Sequence, residues 1–234
     1  LIWASFATGI LEFGIAFGIE TFGLLITTAS NAVTINISEP YFVLNFAGLL
    51  LREPMTRAII ACALLALVGL TLVVIPDIWA TTEASITGDL LLVLAAFCAG
   101  IYVVSSRRLV ETIHPLSLCT LQLIGGSVFV AMLLGAGHFA GLANAFAPIS
   151  WVALEVAIIA GLLQFALPFW LHLIALRHMP ANIFSFFLTL IPIFGVAAAY
   201  VWLDERLIGV QAIGGVLLIA ALLAVTRYHK GQLE

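Results

Sequence analysis

Residues 29–53 read ASNAVTINISEPYFVLNFAGLLLRE, and residues 181–205 read ANIFSFFLTLIPIFGVAAAYVWLDE. Set 152 residues apart without a gap, they pair Ala29 with Ala181, Pro40 with Pro192, Phe42 with Phe194, Ala47 with Ala199, Leu51 with Leu203 and Glu53 with Glu205. The same offset carries Gly9, Phe13 and Phe17 onto Gly161, Phe165 and Phe169, and Leu65, Leu70 and Val73 onto Leu217, Leu222 and Val225. Leucine matches are cheap in apolar sequence, but the Gly, Pro and Glu matches are not. The chain therefore contains an internal repeat, and the length of its apolar runs decides the medium in which it folds.

Of 234 residues, 64% are hydrophobic and 9% charged, and the mean hydropathy is +1.24. A water-soluble domain carries roughly 45–50% apolar and about 25% charged residues, so this chain cannot cover itself with polar surface in water. Eight basic residues against twelve acidic ones leave no cationic face for nucleic acid. Cys62, Cys98 and Cys119 share no close spacing and read as buried small hydrophobes rather than metal ligands or disulfides. No P-loop, nucleophile elbow, HExxH or repeated Cys/His ligand spacing occurs, so neither an enzyme nor a bound cofactor is expected.

A membrane helix needs about 20 apolar residues. Eight runs meet that need, at 3–26, 31–51, 57–76, 88–106, 115–137, 150–174, 182–203 and 208–226. They are continuous rather than alternating, which excludes a β-barrel. Arg52, Arg57, Arg107, Arg108, Arg177, Arg227 and Lys230 fall on one side of the resulting topology, and Arg206 alone falls on the other. By the positive-inside rule the first side, with the C-terminus, is cytoplasmic. Asp77, Glu83, Asp204 and Glu205 mark the outer connections. Trp79, Trp151 and Trp202 lie at outer ends and Trp3 near an inner end, where an interfacial belt places them, while Trp170 lies inside a span. The matched segments lie five spans apart, an odd number, so the two copies cross the bilayer in opposite directions. Inverted repeats are a building plan of secondary transporters. The second copy starts near Gly88, so the first would start about 64 residues before Leu1, and the expectation is two further helices and a total of ten.

The stretch from Gly88 through Arg107 and Arg108 resembles the opening of an EamA domain of the drug/metabolite transporter superfamily. The run from Leu176 to Leu223, with the mid-helix Pro192 and the terminal pair Asp204 and Glu205, resembles its close, and residues 24–74, with Glu39 and Pro40, the close of a preceding copy. One departure is Arg52 before Glu53, where the second copy has Asp204 before Glu205. The resemblance implies an all-α polytopic membrane bundle, eight helices here of a ten-helix inverted-repeat carrier in the inner (plasma) membrane. Its parts would be the last three helices of a first repeat (1–76), an outer loop (77–87), a five-helix second repeat (88–227) and a cytoplasmic tail (228–234).

Ionisable groups inside a bilayer cost several kcal/mol and normally face protein or a watery path. Glu12 and Glu20 lie in the first run, Glu39 in the second, and Glu155, Gln164 and His172 in the sixth; the repeat maps Glu12 onto Gln164 and Glu20 onto His172. Glu39 abuts Pro40, whose ring is expected to kink the span and free a carbonyl one turn back. Either it holds a proton or a cationic substrate group there, or it bonds a neighbouring helix. Thr34, Ser38, Tyr41 and Asn45 share one face that is apolar in the second copy, which suits a translocation path or interhelical hydrogen bonding. Trp170 and His172 are candidates for stacking on substrate and for proton coupling, and Tyr102 and Gln122 are weaker ones. Gly14 with Gly18, and Gly214 with Gly215, read as close helix packing.

The candidate substrate-binding set is thus Glu12, Glu39, Tyr41, Asn45, Tyr102, Gln164, Trp170 and His172. The absence of a deep Lys or Arg disfavours anionic cargo. The expected function is export of small neutral or zwitterionic metabolites such as amino acids, with protons a candidate coupling ion and a homodimer a candidate assembly. A multidrug exporter of lipophilic cations is the alternative, and an intramembrane enzyme on lipid-linked substrates a more distant one.

Overall fold

The computed structural model describes residues 1–27, 35–36, 38–79, 85–141, 150–194 and 209–230, with backbone alone at 73–79, 211, 229 and 230. Thr34, Glu83, Trp202, Asp204, Glu205 and Arg206 lie outside the described residues, as do the side chains of Asp77, Trp79 and Lys230. All described regular structure is helical: α1 (Ile2–Ile26), α2 (Glu39–Leu50), α3 (Arg57–Trp79), α4 (Ile86–Leu109), α5 (Pro115–Phe139), α6 (Trp151–His178), α7 (Ala181–Leu188) and α8 (Gly209–Lys230). Among the described residues α1, α4, α5 and α6 are long and apolar enough to cross a membrane, and Arg57–Leu72, Ala181–Phe194 and Ala212–Tyr228 are shorter apolar stretches. Large side chains such as Leu133, Ile159, Leu163 and Val216 stand more than half exposed, an apolar surface that only a lipid medium satisfies.

Local chemistry sets the helix starts. Ser150 accepts the Ala153 N–H at 3.2 Å ahead of α6, and His114 caps α5 just before Pro115, whose missing N–H costs nothing in a first turn.

Two helices depart from the regular geometry at repeat-related places. α1 contains a π-helical stretch at Ile10–Ala16 and α6 one at Gly161–Ala166, and with the 152-residue offset these overlap. The second place is around the prolines. The sequence predicts a kink inside one span at Pro40, whereas the chain breaks there and α2 begins at Glu39 with Pro40 in its first turn. Proline in a first turn loses no hydrogen bond, so an interruption is cheaper than a bend. The turn is closed by Ser38 N–H to the Ile35 carbonyl at 2.8 Å and Phe42 N–H to the Ser38 carbonyl at 3.0 Å. After α7 the pattern recurs: Leu190 N–H donates to the Phe187 carbonyl at 3.1 Å and Phe194 N–H to the Leu190 carbonyl at 3.2 Å, each residue 152 beyond its counterpart.

The chain forms two compact units. The first comprises Leu1–Gly18 and Ser105–His178, the second Ile19–Val104 and Met179–Glu234. In the first, α1 lies backbone to backbone on α5: a Cβ on Gly9 would strike the Gln122 carbonyl, one on Gly126 would strike Phe13, and one on Gly125 would come 2.8 Å from the Phe6 carbonyl. Gln122, wholly buried, donates to Thr8 Oγ1 at 3.0 Å and to Ser106 Oγ at 2.9 Å, which makes it a tie between helices. Gly14 packs on the Phe129 ring as expected of a small residue, but among the described residues Gly18 and Gly215 have no neighbour there; Gly214 instead offers its carbonyl to close approach by Gly69.

In the second unit α3 packs on α8, and Leu44, Ile59, Ala66, Leu70, Ile183, Phe186, Leu218 and Val225 form the core. Here Glu53 accepts the N–H groups of Ala181 at 2.8 Å and Asn182 at 2.7 Å, capping α7 from the other repeat. It is held there by the end of α2, where Leu51 and Glu53 both donate to the Ala47 carbonyl and the intervening Arg52 takes φ 57°. That left-handed position favours glycine. Arg52→Gly is therefore expected to stabilise the protein by about 0.5–1 kcal/mol, relief of the Cβ strain outweighing the freedom gained by the unfolded chain. Thermal unfolding in detergent measures it, and an unchanged or lower midpoint would show that the Arg52 backbone carries no strain.

Candidate functional site

The eight candidate residues divide between the units: Glu12, Gln164, Trp170 and His172 in the first, Glu39, Tyr41, Asn45 and Tyr102 in the second. Within the first, Glu12 and Gln164, repeat counterparts, both fall inside the π-helical stretches. A π turn widens the helix and displaces its carbonyls, and such turns gather at functional sites. Glu12 is 7% exposed, whereas Gln164 stands open on its helix. Beside them and one turn beyond, Phe13, Phe17, Phe165 and Phe169 form a ring quartet. Its shortest separations are Phe13 to Phe169 at 4.6 Å and Phe17 to Phe165 at 5.3 Å, against 6.2 Å for each directly equivalent pair, Phe13 with Phe165 and Phe17 with Phe169. His172 stacks on Phe169 at 6.0 Å. The Trp170 Nε1–H is enclosed and has no hydrogen-bond partner among the described residues. Glu155 lies on the first part of α6, Trp151–Ala160, which buries none of its residues.

In the second unit the chain break sets the geometry. Glu39 opens α2, and its charged neighbour is Glu20 of α1. Glu20 Oε1 accepts from Asn36 Nδ2 at 3.0 Å, so an amide from the break itself orients this second carboxylate. Two carboxylates and an amide in an apolar chain form a site that attracts a proton or an ammonium group. Neither Glu20 nor Asn36 belongs to the set chosen from sequence. The signals pointing to Glu20 are its charge inside an apolar run and its repeat relation to His172, and Asn36 has none.

The polar face of α2 is partly spoken for. The Tyr41 hydroxyl donates to the Ala63 carbonyl of α3 at 3.2 Å, and Asn45 Nδ2 turns back to the Tyr41 carbonyl at 2.7 Å. Interhelical bonding thus accounts for Tyr41, while Ser38 Oγ has no partner among the described residues. Tyr102 is 1% exposed, enclosed by packed side chains. No group of three or more His, Cys, Asp or Glu side chains able to hold a metal occurs among the described residues.

Helical, apolar and interrupted at repeated places, the chain has an architecture for which one family offers a match. Residues 1–75 and 86–227 match the EamA-like transporter family. The chain belongs to this family. It is an integral membrane protein of a transporter family and not an enzyme. Among curated relatives of this EamA-like chain, the threonine/homoserine exporter RhtA of Salmonella typhimurium (strain SL1344) is 25% identical over 62% of this chain and 47% of its own length. The probable terminal-alkyne amino-acid exporter of Streptantibioticus cattleyicolor is 28% identical over 88% of this chain and 65% of its own. The threonine/homoserine exporter RhtA of Escherichia coli (strain K12) is 26% identical over 83% and 61%. The chain thus spans about half to two thirds of the length of these relatives. A protein of known crystal structure, 18% identical, superposes with a TM-score of 0.78 over 99% of this chain and 78% of that one, a likeness of fold.

Proposed function

We propose that this EamA-like chain forms eight spans of an inner-membrane secondary exporter of small neutral or zwitterionic metabolites such as amino acids, working by alternating access of two inverted repeats, with its C-terminus in the cytoplasm. The observation that carries the reading is the recurrence, 152 residues on, of both the π turn and the break before proline. Interrupted helices at matched places in two halves are the usual means of building a transport site at mid-membrane. The Phe quartet supports inversion. Side chains four residues apart on two helices pair crosswise when the helices run antiparallel, and the crosswise distances here are the short ones. Seven of eight basic residues on one side support the sidedness.

In this reading Glu39 and Glu20, with Asn36, receive the substrate ammonium group or a coupling proton. Glu12 and Gln164 line the path at the π turns, and Trp170 and His172 flank it. Asn45 adds an amide to the same lining, while Tyr41 and Tyr102 brace the helices that carry it. The names of the relatives favour amino acids as cargo.

The test is flux in liposomes containing purified protein. Labelled threonine or homoserine should move faster than in empty liposomes, and excess unlabelled amino acid should compete while a lipophilic cationic dye does not. Dye flux that amino acids fail to inhibit would replace this reading with the multidrug one, and no flux of either would remove the carrier reading.

A further inference from the structure

Where α5 begins and α6 ends, the first unit contains a cavity of about 370 Å³ lined by His114, Pro115, Trp170, Ile174, Arg177 and His178. Its hydrogen-bonding side chains are donors or can become donors, and none is a carboxylate. Arg177 supplies a guanidinium, which can only donate. His114 Nδ1 accepts from the Leu116 N–H at 3.3 Å, so in the neutral ring the proton sits on Nε2, a donor. His178 Nδ1 lies 2.8 Å from the Ile174 carbonyl, which can only accept, so that nitrogen is protonated and Nε2 becomes a further donor when the ring is charged. The carboxylate of the preceding turn, Glu111, is already held by Arg107 at 2.7 Å. Such a set recognises an anion and repels a cation.

The rest of the wall is apolar, and it continues. Ile174 of the cavity prolongs a row at helical spacing, Leu163, Leu167 and Leu171, which are 63%, 44% and 52% exposed. A free phosphate would use the donors and leave this row bare. An amphiphile uses both. Because α5 and α6 are candidate membrane spans, their ends lie at headgroup depth, where basic pockets between helices take lipid phosphates. We propose that this cavity binds the phosphodiester of an anionic phospholipid, with one acyl chain laid along Leu171, Leu167 and Leu163. Arg177 and His114 hold the phosphate, and the Trp170 ring forms part of the apolar wall. Its lining includes none of the carboxylates assigned to cargo, and its test does not depend on transport.

The probe is phosphatidylglycerol against phosphatidylcholine, added in trace to purified protein in detergent and counted by intact-complex mass spectrometry. Phosphatidylglycerol should be retained preferentially. Arg177→Gln should lower that preference about five-fold, the usual worth of one cation facing an anionic lipid, and Arg57→Gln, a cation that does not line the cavity, should leave it unchanged. A second measurement avoids the Arg177 variant. In protein with Trp3, Trp79, Trp151 and Trp202 replaced by Phe, brominated phosphatidylglycerol should quench Trp170 fluorescence, and excess inorganic phosphate should not restore it. Equal retention of the two lipids, or absence of quenching, overturns the proposal; restoration by inorganic phosphate replaces the lipid with a free anion.

Discussion

Gly9→Ala is expected to destabilise the protein by about 3 kcal/mol, the upper end of what overpacking costs. The added methyl would fall on the Gln122 backbone, which no rotamer change can move aside, so α1 and α5 must separate. Gln122 is wholly buried and Thr8 nearly so, and separation pulls apart their 3.0 Å hydrogen bond, leaving polar groups unpaired at about 1–3 kcal/mol each. Gly18→Ala on the same helix is the control. Its Cβ would meet nothing within 4 Å, so it should be neutral or gain up to about 1 kcal/mol from helix propensity. Thermal unfolding of the two variants in one detergent compares them directly. Equal midpoints would mean that the close approach at Gly9 does not hold α1 to α5.

The second large effect is expected at Glu39. If its carboxylate receives the substrate ammonium group or the coupling proton, Glu39→Gln keeps the shape and removes the charge. A hydrogen bond to a charged group is worth about 1.5–3 kcal/mol, so export should fall about ten- to hundred-fold. Export by the unmodified protein should also vary between two external pH values, and that variation should vanish in the variant. Glu20→Gln should weaken export less, since Asn36 already engages one of its oxygens. Unchanged rate and pH dependence in Glu39→Gln would remove this residue from the mechanism.

Helicity, membrane habit and family were legible because each rests on composition or on rare matched residues: the Gly, Pro and Glu identities survive a background of leucine. The sequence predicts a kink at Pro40, whereas the helix begins anew at Glu39. Proline removes the same N–H in either case, and only the backbone decides whether a helix bends through it or starts anew there. The π stretches were invisible because one added residue in ILEFGIA or GLLQFA alters no composition and blurs an apolar period that has no polar face to betray it. Contact between Glu20 and Asn36 joins residues 16 apart in the chain and is likewise silent in sequence. Arg52 shows the reverse: it departs from the acidic pair of the second copy, yet the residue occupies a left-handed cap and the neighbouring Glu53 does the bonding.

The π stretch in α1 has a geometric outcome for everything beyond it. One residue more than an α-helical count turns the following side chains by about 100° about the axis, so Phe17 and Glu20 look in a direction that a regular helix starting at Ile2 would not give them. α6 carries the same offset ahead of Phe169 and His172. Deleting Ile10 alone would restore an even winding and swing Glu20 away from Asn36 while every candidate side chain is kept. The length of this segment therefore aims Glu20 as surely as the residues around it do.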